Sequence, residues 1–309
     1  MKRFAVALAI VGLVATAASA ATVKLRIVPM GHDPTEGDAQ PVPVVAVDGL
    51  VAYEVYAEVI GDDNGGLAFF SVDIETDTGL QQPVIGPNGE GAFSSTVQQY
   101  FSLGGWGPWE GWPEVSGDAD DLLEVAGVQN VFGTDPASSN DDPQPCDPAT
   151  LLGGFGQDGP VLLFSGIIDC TGLTPTPDNP LTVVLVGDDD PATGSRALVW
   201  KPFTDIAELC DLTDPNLYPT VLEADVEVNM GLQIVGTGSF FDDLASQNEP
   251  PCTDFTDFLG FTVCWTGDRA DPNYTYMQVG CEVHDQDRDG DVDFTDFLGF
   301  TVEWDGFCP

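Results

Sequence analysis

The chain has 309 residues, with 51 Asp and Glu against 8 Lys and Arg, a formal net charge of −43 at pH 7. So acidic a chain repels phosphate backbones and anionic lipid surfaces, which excludes nucleic-acid binding, and it attracts cations. About 289 residues beyond the N-terminal leader suffice for one large domain and a small one.

In chain order, Met1-Lys2-Arg3 precedes an apolar run from Phe4 to Ala18, and Ala18-Ser19-Ala20 follows as a small-x-small cleavage site. This is the three-part pattern of a secretory signal peptide, predicted over residues 1–20, and it implies an extracellular location, secreted or surface-associated. The run is shorter than the roughly 20 residues a membrane-spanning helix needs, and no later segment is long enough. Export makes the seven cysteines candidates for disulfides: Cys146, Cys170, Cys210, Cys252, Cys264, Cys281 and Cys308.

Residues 21–240 read as an antiparallel β-sandwich, so the predicted fold class is mainly β with a small two-helix module behind it. Val51–Val59 is a long apolar run with acidic residues at intervals. Glu223–Met230 alternates with period two, the mark of a half-buried strand. Val161–Ile168 and Leu181–Val186 are short apolar runs that suit strands buried on both faces. Thr22–Val28 and Leu67–Thr76 are further strands, and the length allows eight to ten. Turn formers separate them, as in Gly61-Asp62-Asp63-Asn64-Gly65-Gly66 and Gly187-Asp188-Asp189-Asp190-Pro191. Asp121–Gln129 and Pro202–Leu209 read as short helices.

Trp106, Trp109 and Trp112 fall within seven residues on a Gly/Pro loop. Tryptophan faces stack on sugar rings and Glu110 and Glu114 can accept hydroxyl hydrogen bonds, so polysaccharide is a candidate ligand. Folding of this loop onto its own core is the alternative. From Thr237 the composition shifts to small, acidic and proline residues, and 241–251 is read as a linker.

The module at 252–309 carries the strongest signal. Asp254-Phe-Thr-Asp-Phe-Leu-Gly-Phe-Thr-Val-Cys-Trp265 recurs 39 residues later as Asp293-Phe-Thr-Asp-Phe-Leu-Gly-Phe-Thr-Val-Glu-Trp304, identical at eleven of twelve positions. Duplicated units bury their apolar faces against one another. The second copy is entered through a twelve-residue acidic loop. Counted from Asp285, carboxylates fall at positions 1, 3, 5, 7, 9 and 12 (Asp285, Asp287, Asp289, Asp291, Asp293, Asp296), with Gly290 at 6 for a sharp turn and Val292 at 8 pointing inward. This spacing wraps Ca²⁺, whose hard oxygen ligands come from positions 1, 3, 5, 7, 9 and 12. A solvated aspartate run would not keep that register. Met277–His284 lacks a helical stripe, so no helix enters the loop. Phe294, Phe297, Leu298, Thr301 and Val302 recur at helical spacing, so a helix leaves it.

A loop with Asp at position 12, one exit helix and a duplicated helix resembles a type I dockerin module. Such modules bind calcium and dock onto cohesin domains in extracellular assemblies. The resemblance covers roughly residues 246–308. It implies Asp285, Asp287, Asp289, Asp293 and Asp296 as side-chain ligands and Asp291 as a carbonyl ligand. It also implies Phe255, Thr256, Phe294 and Thr295 as partner-binding positions, with core packing the alternative for the phenylalanines. The first loop, Ser246–Asp257, has Pro250 and Pro251 at positions 5 and 6. Proline cannot adopt the positive φ that glycine allows at 6, so this loop is expected to bind calcium weakly or not at all. Antiparallel helices would place Cys252 near Cys308 and Cys264 near Cys281. Cys252 and Cys264 lie about 18 Å apart along a helix, beyond the roughly 7 Å a disulfide allows. Zinc is the alternative, but no C-x-x-C spacing supports it.

The expected function is non-catalytic: calcium-dependent docking to a cohesin-like or other extracellular protein. A dockerin-tagged polysaccharide-degrading enzyme is the second reading and an acidic calcium-loaded surface protein the third. No G-x-S-x-G, H-E-x-x-H or P-loop occurs, and the two histidines, His32 and His284, sit in Gly/Asp-rich loops, His32 as an ordinary loop residue.

Overall fold

The computed structural model describes residues 21–61, 66–76, 92–93, 97–99, 121–129, 159–186, 196–200, 221–240, 253 and 255–304. The leader, the Trp106–Trp112 loop, Pro202–Leu209, the 241–251 linker and Cys146, Cys210, Cys252 and Cys308 lie outside the described residues. So does the first loop, apart from Thr253 and residues 255–257.

Twelve strands are described: β1 (Thr22–Pro29), β2 (Val42–Val47), β3 (Leu50–Ile60), β4 (Leu67–Thr76), β5 (Ala92–Phe93), β6 (Val97–Gln99), β7 (Asp121–Gln129), β8 (Val161–Asp169), β9 (Leu181–Leu185), β10 (Arg196–Trp200), β11 (Val221–Val228) and β12 (Leu232–Gly238). Two helices follow, α1 (Phe255–Cys264) and α2 (Phe294–Glu303). The strand count exceeds the expected eight to ten because the fold adds the short β5 and β6.

One layer runs β8-β3-β1-β11-β10, and the other runs β7-β4-β9-β12-β2. Strand β4 joins them: residues 67–71 pair with β10, and Ile74–Thr76 pair with β9. The β2–β3 hairpin joins them on the other side through Val47 and Leu50. Two pairings, β1–β11 and β2–β12, are parallel and the rest antiparallel. The core lies between the layers, where Val23, Leu25 and Ile27 of β1 face Val183 of β9 and Leu232 and Ile234 of β12. Tyr53, Phe70 and Phe164 fill its centre, with Phe70 stacked on Phe164 at 6.1 Å.

Two sequence expectations change, and two strands appear that local patterns do not announce. Asp121–Gln129 is strand, not helix: its backbone pairs with β4 from Asp121 to Val128, and that ladder overrides a weak local preference. Strands β8 and β9 alternate buried with half-buried residues, so each turns one face to the core rather than two. Strand β2 carries Pro43 within a valine run and β12 carries Gly236 at a bulge; both residues argue against a strand in the sequence, yet the parallel pairing of the two accommodates them.

The helical module packs directly on the sandwich. It covers the loop after β1 (Met30–His32), the valines of β2 and the middle of β3. Val283, in a 3-10 turn at Cys281–His284, is buried against Val45 and Val47. Arg288 stacks on Phe240 at 4.8 Å and reaches the Val47 carbonyl.

Candidate metal centre and docking face

The acidic loop is built by its own backbone. Gly290 takes φ 91°, the left-handed conformation glycine tolerates. The turn it makes aims the amides of Asp289 and Gly290 at the Asp285 carboxylate, at 3.2 and 3.0 Å. At the far end Asp293 caps α2 by accepting the Thr295 amide, while Asp296 accepts from the Asp293 amide at 2.9 Å and the Gln286 amide at 2.6 Å. The reciprocal capping box ties position 12 to position 9, and the Gln286 amide ties it to position 2, which closes the loop. Val292, at position 8, is fully buried between Phe261, Met277 and Phe300.

The six aspartates form two triads, Asp285 with Asp287 and Asp289, and Asp291 with Asp293 and Asp296. Within each triad the carboxylate oxygens lie within 4.8 Å of one another. Concentrated negative charge in a partly buried place perturbs the acids. Asp285 is pushed up to about 8, by burial first and by the Asp296 charge second. Burial likewise lifts Asp291 and Asp296 to about 6. Asp291 is buried and accepts the Arg269 amide through Oδ2, while its Oδ1 has no hydrogen-bond partner. Two clusters of closely spaced aspartates on one turn, with Asp285 and Asp296 held partly buried against their own charge, are a donor set that fits a hard divalent cation. As expected, the loop is entered from a single 3-10 turn, Cys281–His284, rather than from an α-helix.

The helices pair about a pseudo-two-fold axis visible in ring contacts. Phe261 stacks on Phe300 at the centre, at 5.9 Å. Phe258 meets Phe300 and Phe297 meets Phe261, both at 6.0 Å; Trp265 and Trp304 close the two ends on Phe261 and Phe300. Cys264 is bonded to Cys281, with Cα atoms 5.3 Å apart, which staples the end of α1 to the turn before the acidic loop. Thr253 and Trp304 form a parallel bridge that brings the ends of the module together; the expected Cys252–Cys308 pair lies beyond it, outside the described residues. Cys170 is buried with its thiol free, and burial pushes that thiol up to about 12.

Phe255, Thr256, Phe294 and Thr295 all stand exposed, the two rings at 56% and 61%. Leu259 and Val263 continue one exposed stripe, and Leu298 and Val302 the other. Between them Phe255, Phe258, Phe297, Phe300, Thr301 and Trp304 line a shallow apolar groove of about 450 Å³. Of the regular stripe that marks α2 in the sequence, Phe294, Leu298, Thr301 and Val302 therefore face solvent, Phe297 packs on Phe261, and the core is held by Phe261 and Phe300.

The sequence offered no sign of the residues that join module to sandwich. Arg269 donates to both oxygens of buried Glu54, at 2.9 and 3.2 Å, and to the Asp289 carbonyl at 3.2 Å. The Glu54 carboxylate is the main partner holding that guanidinium charged against the cost of burial. Tyr274 Oη lies 2.8 Å from the Gly31 carbonyl and 3.0 Å from that of Gly290. His32 is not an ordinary loop residue: it is buried between Glu36 and Glu282, at 3.4 and 3.2 Å. His284 is buried edge-on against Phe261.

No family model matches the chain, and no curated protein does. Among solved structures it is similar to a non-cellulosomal cohesin from Archaeoglobus fulgidus, with 9% identity over 71% of this chain and 93% of that one, TM-score 0.29. It is also similar to the second type II cohesin module of the ScaA scaffoldin of Acetivibrio cellulolyticus, with 11% identity over 70% and 96%, TM-score 0.31. A third is the sixth cohesin of scaffoldin B of Acetivibrio cellulolyticus, solved with a Cel5 dockerin mutant, with 12% identity over 68% and 99%, TM-score 0.29.

Proposed function

We propose that this is an exported, non-catalytic docking protein, whose calcium-organised helix pair presents an apolar face to another extracellular protein. The observation that carries the proposal is the duplicated exposed stripe. A chain with 51 acidic residues keeps Phe255, Leu259, Phe294 and Leu298 in water on one pair of helices, although burying each would be worth roughly 1.5–3 kcal/mol. Contiguous apolar surface of this kind marks an interaction site. No Lys or Arg lies on either helix, so a partner with an apolar centre and a basic rim fits the face best.

In this reading Asp285, Asp287, Asp289 and Asp296 supply carboxylate oxygens to Ca²⁺, Asp291 its backbone carbonyl, and Asp293 a contact through water. The bound ion offsets part of the loop's negative charge and holds α2 at a fixed angle. Carbohydrate binding by the Trp106–Trp112 loop belongs to the same proposal as a second contact. Export, by the leader at residues 1–20, would supply millimolar calcium. Among the described residues no helix is long and apolar enough to cross a membrane.

Calorimetric titration of the full chain with calcium tests the loop. Asp285→Ala and Asp296→Ala are each expected to weaken binding at least about tenfold, equivalent to about 1.4 kcal/mol. Unchanged affinity in both variants removes the metal assignment. The second reading, a tagged polysaccharide-degrading enzyme, is tested by reducing-sugar release from the same preparation.

A further inference from the structure

The calcium loop is also the surface by which the module sits on the sandwich, and the two roles meet at loop positions 5 to 7. Position 5, Asp289, offers its carbonyl to Arg269. Position 6, Gly290, lies so close to Gly31 that a Cβ on Gly31 would collide with the Gly290 backbone, and a Cβ on Gly290 would run into the Arg269 and Met30 side chains. Position 7, Asp291, takes the Arg269 amide on its carboxylate. Behind these contacts stand residues of the sandwich: Glu54 of β3 anchors Arg269, and the Gly31 carbonyl accepts from the Met277 amide at 2.9 Å as well as facing Tyr274. The Tyr274 hydroxyl has one proton to share between the Gly31 and Gly290 carbonyls, so it reports on both sides of the joint at once. A cavity of about 20 Å³ lies in the same seam, bordered by Met30, Met277, Glu282, Asp285 and Arg288.

Resting on the calcium reading above, we propose that calcium binding and docking of the module on its own sandwich are a single coupled event, with Arg269 and Tyr274 as the positioning residues. The sandwich holds the middle of the loop in its ligating shape from behind. An ion that requires that shape therefore tightens the joint, and the joint tightens the ion. Coupling of this kind is reciprocal by thermodynamic necessity. Its consequence is that the exposed stripes of α1 and α2 are presented at a fixed orientation only when calcium is bound.

The test is hydrogen–deuterium exchange on the full chain, with calcium and with chelator, on wild type, Tyr274→Phe and Glu54→Gln. Calcium is expected to slow exchange in two places: the loop, 285–296, and the sandwich-side segment Met30–His32 with the Met277 amide. Both variants are expected to weaken calcium binding by about tenfold and to lower thermal stability more in calcium than in chelator. A merely structural role would lower stability equally in both. Protection of the loop without protection of Met30–His32, or wild-type calcium affinity in both variants, overturns the coupling and leaves the metal loop standing. No protection anywhere overturns the metal loop and the coupling with it. Tyr274→Phe removes one oxygen and keeps the ring, so it carries the test if Glu54→Gln fails to fold.

Discussion

His32 shows how one side chain can carry an interface. Burial alone would lower its pKa, and it is the largest single influence. Yet Glu282 and Glu36, on opposite ring nitrogens, together outweigh it and raise the value above that of a free imidazole. A group that binds its proton more tightly when folded stabilises the fold fully below its unfolded pKa, about 6.5, and the contribution disappears as pH rises through the higher folded value. In saturating calcium the melting temperature is therefore expected to fall across the window above pH 6.5, and His32→Gln to flatten that slope. An equal slope in the variant would place the titration elsewhere. Asp285 behaves oppositely to a salt-bridged carboxylate. In metal-free protein its charge is disfavoured by burial and by Asp296, so a cation relieves a real electrostatic cost.

At the scale of elements, the two helices divide their apolar residues between two tasks. Phe261 and Phe300 are buried and hold the pair together, while Val263 and Val302 are more than four-fifths exposed and hold nothing. Phe261→Ala is expected to destabilise the module by about 3–5 kcal/mol, the cost of a large side chain removed from a packed site. Leu298→Asp is expected to change stability by less than about 0.5 kcal/mol, as surface substitutions do, and to abolish capture of the partner. Chemical denaturation and a binding assay on both variants separate the tasks. A Leu298→Asp protein that still captures its partner would move the docking face elsewhere. The Cys264–Cys281 bond supports the same division, closing a 17-residue separation and so contributing about 3 kcal/mol by chain entropy without touching the exposed stripes.

For the whole molecule, the net charge of −43 sets the terms. Self-repulsion works against compaction, and the described cations answer it at chosen places. Arg26 is clamped between Asp38 and Glu58, Lys24 sits by Asp38 and Glu227, and Arg269 pins module to sandwich through Glu54. With module and sandwich joined through buried Glu54, His32 and Val283, calorimetry in calcium is expected to show one cooperative transition. In chelator the joint loosens and two transitions are expected. A single transition in both conditions would mean that the direct contacts of Arg269, Tyr274, His32 and Val283 hold the halves together without the ion.

Local rules reached far into this chain. The period-two runs at Thr22–Val28, Leu67–Thr76 and Glu223–Met230, the exit helix after a capping aspartate, and the 1-3-5-7-9-12 acidic register are all short-range patterns, and they could be read because neighbouring residues carry them. The amino-acid order alone determined a mainly β body, a duplicated helix and an acidic loop with a glycine turn at its sixth position. What only the tertiary structure decided depends on residues far apart in the chain. Asp121–Gln129 became strand because β4 pairs with it, β2 and β12 formed despite Pro43 and Gly236 because they pair with each other, and most of the α2 stripe stays in water because Phe261 and Phe300 fill the core between the helices. Glu54 and Arg269, 215 positions apart, meet only once both layers and the module are in place. A contact between such distant residues leaves no periodicity behind, so folding alone reveals that the acidic loop and the sandwich form one joint.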